Sequence, residues 1–461
     1  MKNIVFIIIF SLFLGGCENF VDILPKGKNI PSSVDDLAKI LNNNNNIGGG
    51  GMNWFYMSDD PYLSEKEIQS QSTTTLNAYT WAPYQYTQLE KDPDWATHYS
   101  IIYYANYVIE NIDKVTEGVD YNKEETLGRA LIHRAYSYWY MISAYAPHYD
   151  AATAATEPGV PMPLESNINK QYPRSTVAKV YEQIFQDLQA AIGLKGLSDW
   201  RTYNSWPCRA AAYALLSRVY LYQKNWEEAA DYAGKVLAIH DELSDYNEIT
   251  MTDPDNAAKG LNGFEAYIMR DPEVILSKAA SNNFTDVMAS NELISCYDRT
   301  RDLRFRYFFS DKTNYGVQLD GYMRVNENQT FNGIRMSEVY LNRIEALVRM
   351  GGSEDIKEAR RLLEILYSKR YDANLPQVLP EMSQADLLKE VLLERHRELR
   401  FTCFRWFDLK RLNTDPATQQ TLTRQAPDGS MISLSPGSPR YTWAIPLDII
   451  LLNPQLTQNE R

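Results

Sequence analysis

The chain is short of the residues that most metal and covalent chemistry requires. Its five histidines, at 98, 133, 148, 240 and 396, form neither an HExxH motif nor an i, i+4 pair, which argues against a zinc hydrolase. Its four cysteines, at 17, 208, 296 and 403, show no CxxC spacing, so neither a disulfide framework nor a zinc ribbon is expected. Gly-x-Ser-x-Gly, Walker and dinucleotide fingerprints are missing. The run Asp253 to Glu265, with its acids and glycines, invites comparison with a calcium loop, but Ala257 and Phe264 stand where an EF-hand needs ligands. Positive charge is scarce too. With 46 Lys and Arg against 59 Asp and Glu, the formal net charge is -13, which excludes nucleic acid as the expected partner. No catalytic residue, metal ligand or cofactor is therefore assigned, and no enzymatic activity is expected.

Long apolar runs are absent as well. The longest, Ile4 to Leu14, is broken by Ser11 and falls well short of the roughly 20 residues of a membrane-spanning helix. Behind Lys2 it has the proportions of a secretory signal, read as residues 1–16. Leu14-Gly15-Gly16-Cys17 resembles a bacterial lipobox, which makes Cys17 the expected lipid anchor and residues 17–31 a lipidated tether.

What the chain does have is core material. With 461 residues, 44% of them hydrophobic, residues 32–461 can bury a large core. Apolar residues recur every three or four positions from Trp95 to Asn111 and from Glu124 to Tyr145, and again from the hydroxyl cap Ser175 or Thr176 onward. From Arg209 to His240 the pattern predicts two helices joined at Lys224-Asn225, with alanines that allow close approach, as in a tetratricopeptide unit. A second such pair runs from Ser337 to Leu366 and turns at Gly351-Gly352. The expected architecture is mainly α, with a helical scaffold over about 94–240 and 334–413. Two insertions, 48–90 and 241–333, are expected to be loop-rich and to form the binding surface. Asn42 to Gly51 reads as a flexible loop.

Aromatic residues crowd the first insertion: residues 54–86 hold Trp54, Phe55, Tyr56, Tyr62, Tyr79, Trp81, Tyr84 and Tyr86. Among Ser, Thr, Asn, Asp and Pro, such rings suit a platform that stacks on sugar faces, with Asp59, Asp60, Gln85 and Gln88 taking hydroxyl hydrogen bonds. The same rings could instead wedge the segment onto the scaffold. The ligand-binding candidates are Trp54, Tyr56, Asp59, Asp60, Trp81, Tyr84 and Tyr86. A second set lies in the other insertion: Tyr297, Asp298, Arg301, Tyr307, Tyr315 and Tyr322. The charges Glu394, Arg395, Arg397, Glu398, Arg405, Asp408 and Arg411 are read as structural ion pairs on a charged helix face.

Four stretches, in order, resemble the SusD/RagB family of nutrient-binding outer-membrane lipoproteins. They are Gly128 to Ala146, Arg174 to Leu188, Glu394 to Arg411 and Trp443 to Asn459. The resemblance implies a SusD-like fold with four tetratricopeptide-like helix pairs and a loop-rich, irregular ligand-binding region. It also implies attachment to the outer membrane at the cell surface, and a SusC-like TonB-dependent transporter as partner. The oligomer delivered to that transporter would most readily be an oligosaccharide or polysaccharide. A structural lid without strong ligand affinity, a peptide-binding subunit and a surface glycoside hydrolase are the alternatives. One departure from the family pattern, Thr402-Cys403, stands where many members carry an acidic residue and a glycine.

Overall fold

The computed structural model describes residues 31–49, 54–266, 269–280, 287–327 and 330–461. The signal segment and Cys17 lie outside them, as does the side chain of Trp54, whose backbone opens a short helix. Among the described residues, no helix is long and apolar enough to cross a membrane.

Among the described residues, nine helices of ten or more residues carry the array: α1 (Pro93–Asn111), α2 (Lys123–Tyr145), α3 (Val177–Gly193), α4 (Arg209–Tyr222), α5 (Trp226–Ile239), α6 (Met336–Met350), α7 (Ser353–Arg370), α8 (Gln384–Glu398) and α9 (Cys403–Leu412). The fold is thus mainly α. Local chemistry sets the ends: Thr176 caps α3 through Lys179 N, Asn225 caps α5 through Glu228 N, and Gly351 closes α6 in the left-handed region at φ 76°. Successive helices pack on one another from α1 to α7. The α4–α5 pair closes as its alanines predict. Ala210, Ala211, Ala212 and Ala214 are buried, and Ser217 Oγ donates to the Ala229 carbonyl. Gly234 lets α6 approach α5, because a Cβ there would stand 2.2 Å from Arg343 Nη1, which donates to the Ala230 carbonyl.

Two expectations for the first insertion need correction. Part of the Asn-rich run is helical: the Asn43 side chain caps a turn at Asn44–Ile47, and Ile47 is buried. The aromatic segment is also largely helical, with Trp54–Met57, Glu65–Ser70 and Thr73–Tyr79 forming short helices, two of them capped by Ser64 and Ser72. Serine and asparagine here supply caps as much as loops.

The insertions meet in one small sheet. β1 (Pro61–Tyr62), at one edge, pairs antiparallel with β2 (Met288–Ala289), then comes β4 (Gln318–Arg324), and β3 (Phe309–Lys312) forms the other edge. Tyr62 sits opposite Met288, and Met288 opposite Met323, so residues more than 200 positions apart share one row. A separate hairpin, β5 (Leu422–Gln425) and β6 (Met431–Leu434), is turned by Asp428-Gly429 with Gly429 at φ 81°.

The C-terminal family-like stretch works as a staple. The Asn459 amide donates to the Tyr145 and Trp443 carbonyls, and the Gln458 side chain bonds both the N–H and the C=O of Ile445. Thr402-Cys403 is built into the packing in the same way: Thr402 caps α9, and Cys403 is buried with its N–H donated to Asn332.

Candidate functional site

The candidate site grows from a buried junction. Asp59 and Asp60 follow directly on the first aromatic helix and reach α8 and α9, far along the chain. Asp59 takes both nitrogens of the Arg405 fork, at 2.7 and 2.5 Å. Asp60, fully buried, accepts from His396 Nε2 at 2.7 Å and from the Phe401 N–H at 2.7 Å. That second bond helps hold Phe401 at φ 53°, a conformation disfavoured for a bulky side chain.

Burial and the Arg405 charge press the His396 ring toward neutrality. Asp59 and Asp60 outweigh them and raise its pKa to about 9, so it is an imidazolium at neutral pH. Burial likewise works against ionisation of Asp59, yet Arg405 and His396 hold it well below the usual carboxylate range. Asp59, Asp60 and His396 bring three metal-capable groups within 4.8 Å of one another. Their lone pairs are already committed to Arg405, to the imidazolium and to a backbone N–H, so the cluster is an ion-paired weld and a poor cation site.

Above this weld opens a groove of about 920 Å³. Its walls come from Asp59 to Gln69, the turn at Ser290 to Cys296, one side of α8, and Asn413 to Met431, including the β5–β6 hairpin. Arg424 anchors the hairpin. Its guanidinium lies over the rings of Tyr79 and Trp81, 4.3 and 4.2 Å from their centroids, and donates to the Tyr56, Tyr79 and Ser58 carbonyls. The rim holds Tyr62, 45% exposed, and Met431, 70% exposed, with exposed Glu65, Lys389, Gln420, Gln425 and Asp428 around them. A flat ring ringed by donors and acceptors can stack on an apolar face while bonding hydroxyls.

The sequence candidates divide sharply against this geometry. Trp81 is 2% exposed; its indole N–H donates to the Met57 carbonyl and Arg424 covers its face, so the ring is a wedge and not a platform. Tyr56 is buried in the core beside Phe55, and burial lifts its hydroxyl to about 12. Gln85 is buried also. Asp59 and Asp60 are spent on Arg405 and His396 and offer nothing to a hydroxyl. Tyr84 is 40% exposed and Tyr86 partly buried, and neither lines the groove. In the second set, Tyr297 is buried with its hydroxyl donated to the Arg397 carbonyl, Tyr307 is buried with its hydroxyl on the Ile249 carbonyl, and Arg301 pairs with Asp298 at 2.6 Å. Tyr315 projects from the β3–β4 turn, and Tyr322 packs edge-on against Phe305.

The charged face expected on α8 and α9 is buried. Arg304 reaches Asp302, Glu394 and Glu398, and Arg370 joins Glu398 to Glu273. A second chain runs Arg395, Asp408, Arg411, Glu345. Arg397–Glu394 and Arg411–Asp408 follow helical i, i+3 spacing and Arg397 also reaches Glu390 on α8, whereas Arg304, Arg370 and Glu345 come from other elements. The groove residues that sequence reasoning missed are chiefly the hairpin, and the signal was present: Asp428-Gly429 between two short alternating runs.

Residues 19–221 match a family described as starch-binding and associating with the outer membrane, and residues 264–461 match the SusD family. The fold is shared with a SusD superfamily protein from Bacteroides thetaiotaomicron at TM-score 0.70 and 22% identity, covering 93% of this chain and 100% of that one. A SusD-like carbohydrate binding protein from Bacteroides vulgatus matches at TM-score 0.67 and 20% identity, over 92% and 97% of the two chains. Surface glycan-binding protein A from Bacteroides uniformis matches at 0.66 and 16%, over 92% and 98%. No curated protein matches the chain.

Proposed function

The chain belongs to the SusD/RagB family, and from that membership we propose that it is a cell-surface lipoprotein, acylated at Cys17, that captures a nutrient oligomer and passes it to a SusC-like TonB-dependent transporter. The oligomer is a glycan, and the protein binds it without turnover. The observation that carries this reading is the groove: an exposed tyrosine ring and a methionine among exposed polar side chains, beside a rigid ion-paired floor. The description of the matched family as starch-binding and outer-membrane associated supports the same ligand class and place. Among the described rings of the first insertion, Tyr62 takes the stacking role in this reading, because Trp81 is buried and Tyr84 lies outside the groove.

Migration of the protein through native gels cast with a panel of polysaccharides tests this directly. At least one polymer is expected to retard it, and Tyr62→Ala to weaken that affinity about ten-fold, near 1.4 kcal/mol. Because Tyr62 lies half open at a strand end, the variant keeps its fold. Retardation unchanged in the variant would move the site elsewhere; retardation by no polymer would favour a structural lid or a peptide ligand. Labelled fatty acid should enter the wild-type chain and not Cys17→Ser, and equal labelling would remove the anchor from this account.

A further inference from the structure

The exposed charges of the groove are mostly of one sign. Glu65, Glu292 and Asp428 line it and are exposed, and among the described residues neither Glu65 nor Glu292 is ion-paired. Asp428 is bonded within its own turn, to the Ser430 N–H and hydroxyl. The four cations that line the groove are largely spent. Arg405 turns Nε and Nη2 to Asp59, Arg424 gives Nη1 and Nη2 to backbone carbonyls, and His396 Nε2 is held by Asp60. Lys389 is exposed and pairs with Asp386 at 3.0 Å. Neither arginine keeps a two-nitrogen fork for an incoming carboxylate or sulfate. Tyr62 stands among the acids: burial raises its hydroxyl first, and Tyr79, Asp320, Glu67 and Glu65 add to it, so the half-open ring lies in a negative field. An aromatic face ringed by carboxylates suits an ammonium group, with the cation over the ring and its N–H donors turned to the acids.

Resting on the reading of the groove as the glycan site, we infer that its oligomer is a glycan rich in free amino groups, and that the groove refuses glycans carrying carboxylate or sulfate. Sugar faces lie against Tyr62 and Met431, and the ammonium groups reach Glu65 and Glu292. A uronate or sulfate in the same place meets like charge with no arginine fork to pair it. A basic peptide answers the charges but leaves Tyr62 and Met431, 45% and 70% exposed, without a flat partner. The acids thus choose among glycans, while the ring and the methionine choose a glycan over other cations.

Isothermal titration of the full chain in detergent at about pH 6 compares the hexamers of glucosamine, N-acetylglucosamine and galacturonate. The first two share one backbone and differ in charge. The glucosamine hexamer is expected to bind about ten-fold tighter than its acetylated form, with added salt narrowing the gap, and the galacturonate hexamer not to bind. Glu65→Gln combined with Glu292→Gln should cut the preference about five-fold. Glu227→Gln combined with Glu354→Gln, at exposed acids outside the groove, should leave it unchanged. All four positions are exposed, so both double variants keep the fold. An equal loss in the two double variants would mean attraction to the acidic surface at large, and overturns the inference. So does an acetylated hexamer that binds as tightly as the amine, a galacturonate hexamer that binds, or hexalysine that binds more tightly than the sugar. If no hexamer binds while a neutral polymer retards the protein through Tyr62, the amine class falls and the glycan site stands; if no glycan of any charge binds, both fall.

Discussion

Arg304→Met lowers the unfolding free energy by about 3–5 kcal/mol, the usual cost of breaking a buried ion pair from one side. Arg304 is fully buried. It donates to Asp302 through Nε and Nη2 at 3.0 and 2.8 Å, to Glu394 at 2.7 and 3.1 Å, and to Glu398 at 2.9 Å. Methionine fills much of the same volume, so the cavity term is small, and what remains is three carboxylates facing one another without their shared cation. Arg370 still holds Glu398, and Arg397 still reaches Glu394, which keeps the loss below the sum of the broken bonds. Urea denaturation at pH 7 measures it. A loss under about 1 kcal/mol would mean that water enters and solvates the acids, and that the network is less sealed than its burial indicates.

Acid unfolds this protein steeply between about pH 4 and pH 2. Burial alone would raise the carboxyl of Asp408, but Arg395 and Arg411 outweigh it and hold it at about 2. Glu398, Glu394 and Glu345 are also buried, Glu327 is partly so, and all four are lowered by the arginines that face them. A carboxylate with a depressed folded pKa stabilises the fold above its unfolded value near 4, and that stabilisation is lost as pH falls through the folded value. Asp408 contributes about 2 kcal/mol on this basis. Asp92 acts oppositely: burial and Asp94 raise it to about 7, so its contribution is complete below pH 4 and is lost as pH rises through 7. Below pH 4 it no longer changes, and the lowered acids act alone. Ellipticity against pH at a fixed urea concentration should therefore show a sharp acid limb, shallower in Asp408→Asn. A flat limb down to pH 2 would mean that these pairs do not persist in solution.

Much of the fold was legible in the sequence because it is written in local chemistry. The Ser and Thr caps, the 3.6-residue periodicity, the alanines of α4 and α5 and the glycine after α6 each act within a few residues, and the family-like stretches carry them in order. The structural role of the Glu394 to Arg411 charges followed from helical spacing. Their burial did not, since it depends on Arg304, Arg370 and Glu345, supplied by other elements.

The site was far less legible. Composition shows that residues 54–86 are rich in rings, but not which rings face water. Trp81 is sealed by Arg424, 343 positions later, and Asp60 by His396, 336 positions later. Tyr62 stays open because it occupies the last position of an edge strand, at the lip of a groove whose far wall is a hairpin beyond residue 420. The sequence by itself determined the helices, their ends and the family, because propensity, capping and periodicity act between near neighbours. The tertiary structure alone decided which polar groups are spent and which are free, because desolvation and pairing act between groups that only the folded chain brings within a few ångströms.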